Sequence, residues 1–199
     1  SEEEILARMK SRTRTYIRRA DRSGLVIEAE SSTDLTDEYY EQLVDVFASK
    51  GLVPTYGPER ARRLFEIVGP SGQVAGHRLR DADGQSVATI ITVGRGQYAA
   101  LWGLAWYRAA AKLHPVEPLQ WAAIRYWRER GAISYDLDGI TLAKKKFGGE
   151  VRTEYHLTHS RHTLLDHGRA AVRSLFYLRQ RVIGGLRARR AAASVGDLT

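Results

Sequence analysis

The spacing of apolar residues changes several times along the chain, and each change predicts a different element. Sparse apolar positions recur every three or four residues over 2–22, which predicts a helix closed by a serine and a glycine. β-Branched residues predict a strand over 25–30. Capping residues and a proline suited to a first helical turn predict two more helices, over 34–50 and 58–68. This part of the chain is therefore expected to place three helices around one strand.

From residue 73 onward the apolar pattern becomes that of strands. Alternating or continuous apolar runs separated by turn sequences predict three strands, over 73–80, 86–93 and 98–105. A polar loop over 106–114 leads to two prolines. The elements predicted beyond it are a helix over 118–130, a strand over 133–138, a short helical turn over 142–147, a strand over 151–158 and a long basic helix over 163–190.

This order of elements predicts an α/β (α+β) fold with a mixed, mainly antiparallel sheet. A three-strand meander followed by a crossover helix and another strand gives such a sheet, with helices packed on its faces. The order resembles that of the GNAT acyltransferase fold. The predicted organisation is an N-terminal linking helix over 1–22, a GNAT-like domain over 23–160, and a basic C-terminal helix and tail over 161–199.

Composition narrows the class of protein. The 199 residues are 43% hydrophobic and 27% charged, as in globular domains. Cysteine is absent, which excludes disulfides, cysteine nucleophiles and thiolate zinc sites and favours the cytoplasm. No apolar run reaches the roughly 20 residues of a membrane span. The histidine and serine spacings match no metal-site or nucleophile-elbow motif, so no metal is expected.

The formal charge of +8 is concentrated at the two ends of the chain. Residues 1–22 contain seven Lys/Arg and four acids, and residues 161–199 contain eight and two, whereas the middle is close to neutral. Such ends suit a phosphate-rich partner or the anionic inner face of a membrane, and equally suit helices with solvated arginine faces.

The segment YDLDGITLAKKKFGGE, over 135–150, contains the main candidate chemistry. Lys144, Lys145 and Lys146 follow the end of a predicted strand, where open α/β sheets place ligands. Three adjacent ammonium groups are tolerated if an anion binds among them, and one of them can stabilise an oxyanion. Asp136 and Asp138 are expected on opposite faces of the predicted strand, with one capping the next turn and the other orienting an amine. The alternative is a solvated lysine turn.

Arginines and aromatic residues provide the other candidate ligand contacts. Arg14 and Arg18 are spaced four apart on the first predicted helix and share a face suited to phosphate. Trp102 and Trp121 can stack a base or a sugar, although such rings are more often core or pocket wall.

The loop over 108–118 lacks the glycines of acyl-CoA-dependent GNAT enzymes. In those enzymes a loop of the form R/Q-x-x-G-x-G/A holds the CoA diphosphate on backbone amides. Here the loop reads RAAAKLHPVEP, with no glycine and two prolines, each of which lacks an amide donor. A GNAT-like fold with this loop is expected to use another activated acyl donor.

Three segments together resemble the Fem-type (FemABX) aminoacyl transferases. They are MKSRTRTYIRRADRSGLVIE over 9–28, PLQWAAIRYWRERGAISYDLDGI over 118–140, and LAKKKFGGE over 142–150. The last is similar to the family signature F-K-x-x-F-G-G. The signature lysine falls on Lys144 and its second phenylalanine on Phe147, while Ala143 replaces the first. The helix arginine of the family falls on Arg14.

The resemblance implies transfer of an amino acid from aminoacyl-tRNA to an amine of a peptide or lipid-linked peptidoglycan precursor, or in some relatives of a peptide antibiotic. It implies no resident cofactor, because aminoacyl-tRNA is a co-substrate. Lys144 would stabilise the oxyanion or the leaving ribose oxygen and Asp136 would align the amine. Arg14, Arg18, Lys145 and Lys146 would bind phosphate. Trp102, Trp121 and Phe147 would line the site. Fem-type proteins carry two GNAT-like modules, and this chain matches the second.

Two other functions remain open from the sequence. One is an acyl-CoA-dependent N-acyltransferase with an atypical CoA loop. The other is a non-catalytic module that binds tRNA or touches a membrane through its basic C-terminal helix.

Overall fold

The computed structural model describes residues 1–30, 32–139 and 141–153, together with positions 168, 171, 172, 174, 175, 178, 179 and 182. Contacts divide the chain into two compact units. One comprises residues 1–46 and 56–151, and the other comprises 47–55 and 152–199. The sheet and the candidate site residues belong to the first unit.

Five strands form a sheet in the order of the sequence. They are β1 (Val26–Glu30), β2 (Val74–Arg80), β3 (Ser86–Arg95), β4 (Tyr98–Trp106) and β5 (Ser134–Asp136). The first four are antiparallel neighbours, and β5 runs parallel to β4. The parallel pair is possible because a helix crosses between these two strands. The predicted mixed, mainly antiparallel sheet is confirmed.

Helices cover both faces of the sheet. They are α1 (Glu2–Arg8), α2 (Ser11–Ala20), α3 (Asp34–Ala48), α4 (Glu59–Val68), α5 (Val116–Glu129) and α6 (Leu142–Lys145). Successive residues of β2 point to opposite faces, so Leu79 packs with Leu119 and Ala123 of α5, while Gly76 lies beneath Leu35 of α3. The α5 face also carries α2, and the α3 face also carries α4. No helix among the described residues is long and apolar enough to cross a membrane.

The helix predicted over 2–22 is two helices, because the backbone turns at Met9 and Lys10. Met9 is extended (ψ 149°), and its side chain is 2% exposed in a cluster with Ile17, Trp121 and Phe147. The amide of Lys10 donates to the carbonyl of Lys146 at 2.9 Å. The apolar spacing continues through the turn, so the sequence pattern contains no sign of it.

Other helix and strand boundaries differ from the predicted ones for local reasons. The predicted loop over 106–114 contains a 3₁₀ helix, Arg108–Leu113. α5 begins two residues before its predicted start, since Pro115 sits at the N-cap and Pro118 lies in the first turn, where no amide donor is needed. Residues 151–153 are not in a strand, and the rest of the strand predicted over 151–158 lies outside the described residues. Most of the helix predicted over 163–190 also lies outside them, and its described positions are helical.

Candidate active site

β4 and β5 separate after three paired positions. Tyr98 pairs with Ser134 and Ala100 pairs with Asp136, where β5 ends. β4 continues to Trp106, and beyond Ala100 no strand among the described residues pairs with it on that side. The edge of β4 beyond Ala100 therefore lines an opening in the sheet, and the segment that follows β5 begins at the same level.

A bulge in β4 lies at this opening. The pairing of β3 with β4 shifts register after Ile91, which leaves Trp102 as an extra residue. The Trp102 ring lies 6.0 Å from the Tyr39 ring, and a side chain at Gly103 would collide with the Tyr39 hydroxyl. Regular alternation would send adjacent residues to opposite faces, whereas the bulge turns both toward α3.

The three lysines have three different environments. The Lys144 ammonium donates to the carbonyl of Asp138, at the end of the β5 segment. Lys145 is exposed and has no side-chain partner among the described residues. The Lys146 ammonium lies 2.8 Å from Oε1 of Glu117, whose side chain is 7% exposed. Only Lys144 and Lys145 are thus available to an external anion, and only Lys144 is held in place at the strand end.

Asp136 orients the turn that holds Lys144. Its Oδ1 accepts the amide of Asp138 at 2.8 Å, and its Oδ2 accepts the Tyr98 hydroxyl at 3.1 Å. The predicted placement of the two aspartates on opposite strand faces is wrong. Residues two apart on a strand share a face, and Asp138 lies beyond the strand with a φ of 57°. The predicted turn-capping role belongs to Asp136, because a short polar side chain stabilises such a left-handed turn.

Of the two predicted phosphate-binding arginines of α2, one is bonded within the fold and the other is exposed. Arg14 donates through one guanidinium nitrogen to the carbonyls of Leu6, Ala7 and Met9, at the end of α1. Its first role in the fold is thus to cap α1. Arg18 is exposed and makes no hydrogen bond or ion pair with the described residues. Arg18 is the one of this pair whose guanidinium is free for phosphate.

Trp121 and Phe147 are buried. They are 8% and 6% exposed and pack with Met9 and Ile17, which fixes α2 against α5. Their predicted place in the ligand-binding set stays a prediction, but their burial favours a packing role. Trp102, by contrast, is only partly buried.

The N-terminus of α5 is occupied by groups of the protein itself. Glu117 lies in the first turn, where it interacts favourably with the helix dipole, and pairs with Lys146. The amides of Ala110 and His114 donate to carbonyls of Tyr107 and Ala111. An external diphosphate would meet a carboxylate there and few free amides.

α2 also covers this segment. The Tyr16 ring stacks on the His114 ring with centroids 3.6 Å apart and planes 13° apart. The Tyr16 hydroxyl accepts a hydrogen bond of 2.6 Å from Arg12. The contact joins the loop before α5 to the arginine-rich helix α2.

The opposite face of the sheet contains an acidic network. Arg78, in β2, lies 3.1 Å from Glu30 and at ion-pair distance, 2.9 Å, from Glu38, although the latter contact lacks hydrogen-bond geometry. Farther along α3, the Asp45 carboxylate accepts the amide and the side chain of Arg108. Burial would raise the pKa of Asp45, but these two hydrogen bonds and the Arg108 charge outweigh burial and lower the pKa.

Charge is therefore distributed unequally between the faces. α2 carries four arginines and no acid, and α6 carries two lysines. α3 carries five carboxylates and no base. A polyanion is attracted to the α2 and α6 side and repelled by the α3 side.

Trp102 lines an open depression of about 210 Å³ on the α3 and α4 face. The remaining lining residues, all from α4, are Arg60, Arg63, Leu64, Ile67 and Val68. Beside it the Tyr39 and Tyr56 hydroxyls are 2.7 Å apart, and burial raises the pKa of Tyr39. Trp102 lies two residues beyond Ala100, which belongs to the last β4–β5 pair.

A family model for the GNAT acetyltransferase domain matches residues 7–155 of the chain, well over half its length. The chain belongs to the GNAT acetyltransferase family. No curated protein matches the chain in sequence. The match covers the sheet, both helical faces and the lysine segment of this GNAT domain.

Solved structures resemble the GNAT domain in fold. FemX superposes with a TM-score of 0.64 at 12% identity over 85% of this chain, and the chain spans 55% of the FemX chain. The aminoglycoside N-acetyltransferase AAC(6')-Iy, in complex with CoA, has a TM-score of 0.52 at 14% identity, covering 69% of this chain and 95% of that one. A ribosomal-protein-alanine N-acetyltransferase from Brucella melitensis biovar Abortus 2308 has a TM-score of 0.50 at 11% identity, covering 68% and 99%.

Three features of the GNAT domain's site escape sequence reasoning. They are the Tyr98 contact to Asp136, the Glu117–Lys146 pair and the depression beneath α4. The first two join residues 38 and 29 positions apart and leave no local pattern. The depression beneath α4 has a weak signal in the sequence, since Arg60 and Arg63 share one side of α4 with apolar residues.

Proposed function

We propose that this chain transfers an aminoacyl group from the 3′ ester of aminoacyl-tRNA to an amine of a peptide or peptidoglycan precursor. The observation that carries the proposal is the internal Glu117–Lys146 pair at the start of α5. It occupies the position at which a nucleotide thioester would need backbone amides for its diphosphate. The fold-level likeness to FemX supports the same choice of donor.

The proposed reaction is direct aminolysis of the ester. The amine nitrogen attacks the ester carbonyl, the bond from that carbon to the ribose oxygen breaks, the ribose oxygen takes up a proton, and the amine loses one. An ester is already activated toward an amine, so positioning the two substrates supplies much of the rate. No covalent enzyme intermediate is needed.

Lys144 is the proposed catalytic residue. Its ammonium has three donors, and the contact to the Asp138 carbonyl uses one of them. A second is then free to stabilise the oxyanion or the departing ribose oxygen. Asp136 and Tyr98 are positioning residues, because they hold the turn from which that carbonyl projects.

The donor would approach over α2 and α6. Arg18 and Lys145, both exposed and without partners in the described part of the chain, would contact phosphates of the tRNA. The proposal also includes a peptide or lipid-linked acceptor and a peripheral membrane contact through the basic C-terminal helix.

The second candidate function is an N-acyltransferase that uses acyl-CoA. The family description and the CoA complex of AAC(6')-Iy favour it. The two candidates differ in the donor, and so a single assay separates them.

The test offers both donors to the same protein. The chain is incubated with a muramyl pentapeptide and either radiolabelled aminoacyl-tRNA or acetyl-CoA, and the product is identified by mass spectrometry. We expect one aminoacyl residue to be added from tRNA and no acetyl group from acetyl-CoA. Lys144→Met should lower kcat about 100-fold without changing the Kd for tRNA, and Lys144→Arg should restore part of the activity.

Acetyl transfer without aminoacyl transfer would make the chain a CoA-dependent enzyme. Absence of transfer from either donor, with tRNA still bound, would favour a non-catalytic binding module. A Lys144→Met variant with wild-type kcat would remove Lys144 from the mechanism.

A further inference from the structure

The Trp102 depression has an apolar interior and a cationic rim. Leu64, Ile67 and Val68 of α4 form its wall, and Ile67 is 75% exposed. The Trp102 ring is supported from one side by Tyr56, with centroids 5.7 Å apart. A surface that places an exposed isoleucine beside a partly exposed tryptophan favours burial of an apolar group of a ligand.

The two guanidinium groups at the rim lack anionic partners. Arg60 lies over the Tyr56 ring at 5.1 Å, and neither it nor Arg63 makes an ion pair or hydrogen bond with the described residues. Arg62, between them in sequence, instead pairs with Asp37 at 2.6 Å. The same helix thus carries one arginine used by the fold and two that are free for an external anion.

The surrounding charge limits what this anion is. On this side of the sheet α3 carries five carboxylates, and α4 carries two carboxylates and three arginines, one of which is already paired with an acid of α3. Carboxylates outnumber the basic groups of these two helices, which disfavours a polyphosphate backbone. A single carboxylate carried by a molecule with an ammonium group is tolerated, because its positive end is attracted by the same acids. The observations favour a zwitterionic peptide over RNA.

We propose that this depression binds the acyl acceptor as a short peptide, with its carboxylate on Arg60 and Arg63 and an apolar side chain against Trp102 and Ile67. This inference rests on the proposed function and names the class of its acceptor. The bulge places Trp102 at the edge of the β4–β5 opening, so a peptide held there extends its amine toward that opening. Lys144 lies beyond the end of β5, and the donor reaches the opening from the α2 side.

The test measures binding without any donor. Isothermal titration calorimetry is performed with L-alanyl-L-leucine and with its C-terminal amide. We expect the acid to bind about tenfold more tightly than the amide, since two charge-assisted hydrogen bonds are lost with the carboxylate. Arg60→Gln and Arg63→Gln should each lower the affinity for the acid by about tenfold and leave the affinity for the amide unchanged.

Two further variants separate the parts of the site. Ile67→Ser should lower the affinities for the acid and the amide alike. Because Ile67 is highly exposed, this substitution leaves the fold intact. Arg62→Gln, which removes the same charge from the same helix, should leave both affinities unchanged.

Equal affinities for acid and amide, no binding of the acid at millimolar concentration, or wild-type binding by the Arg60 and Arg63 variants would each overturn the proposal. So would the loss of binding to a short RNA ending in CCA on replacing these two arginines. The proposed function fails separately. Aminoacyl transfer with no peptide binding refutes only this site, and peptide binding with acetyl-CoA as donor refutes only the donor.

Discussion

Single side chains in this protein often act by holding another group in place. Asp136 binds the amide of Asp138 and the Tyr98 hydroxyl, and the carbonyl of the turn that it stabilises accepts the Lys144 ammonium. A carboxylate that looks like a reactant in the sequence is thereby a support for the lysine. A half-buried carboxylate with two fixed partners is suited to that role, because each bond limits its motion.

His77 is a residue whose environment has a measurable consequence for pH. It is 3% exposed in β2, its Nδ1 has no hydrogen-bond partner in the described part of the chain, and its ring meets the Tyr126 ring edge-on at 5.0 Å. Burial, followed by the charge of Arg130, lowers the pKa of His77 to about 4. The unfolded chain binds this proton near the ordinary pKa of about 6.5, so stability is full above that pH and is lost as pH falls toward 4.

We expect the free energy of unfolding to fall by roughly 2 kcal/mol more between pH 7 and pH 4.5 in the wild type than in His77→Phe. Urea unfolding at the two pH values, followed by circular dichroism, measures the difference. Parallel losses in the two proteins would mean that His77 is not the proton acceptor.

Among the elements, α6 and the Phe-Gly-Gly segment connect the lysines to the first two helices. Gly148 has a φ of 74°, and a side chain there would collide with the carbonyl of Arg8. The Lys146 carbonyl accepts the amide of Lys10 just before it. The glycine is needed because the α1–α2 turn packs on this backbone, and the same packing fixes the start of α5 beneath α2.

Gly148→Ala should lower the free energy of unfolding by at least about 2 kcal/mol, from the left-handed φ and the contact with Arg8. Gly149→Ala is the matched control, because its added methyl group would meet only Leu137 at 3.6 Å, and we expect a change within about 1 kcal/mol. Thermal and urea unfolding of both variants provide the comparison. Equal destabilisation would show that the close approach to Arg8 does not distinguish the two positions.

At the scale of the whole molecule, the net charge of +8 does not show that the two faces of the sheet in the first unit differ in charge. The basic α2 and α6 and the acidic α3 would bring an RNA donor and an amine acceptor to the opening from opposite sides. Under the proposed function, such separation would keep the two substrates from competing for one surface. Of the two sheet faces, only the α2 and α6 face would then contribute to the salt dependence of RNA binding.

Arg18→Gln should lower the magnitude of the slope of log Kd for tRNA against log salt by about 1, since one phosphate contact is lost. Arg62→Gln removes an equal charge on the opposite face and should leave the slope unchanged. Fluorescence anisotropy of labelled tRNA between roughly 50 and 300 mM salt measures both. An equal change in the two variants would indicate a response to net charge alone.

The order of elements, the three-strand meander and the crossover helix follow from the sequence, because strand alternation, helical spacing and turn chemistry act over short stretches of chain. The consequence of a glycine-free loop before α5 could also be predicted from the sequence, since glycine and proline each have a defined local effect on the backbone. These features were enough to predict the fold and to place Lys144 after a strand end.

Tertiary structure alone decided how the site is arranged. The turn at Met9, the bulge at Trp102 and the pairing of Lys146 with Glu117 depend on register and on contacts between distant residues. The three lysines are equivalent in the sequence and differ only in what the folded chain brings to each. Local patterns specify which elements form, whereas the packing of those elements determines which charges are already paired and which remain for a ligand.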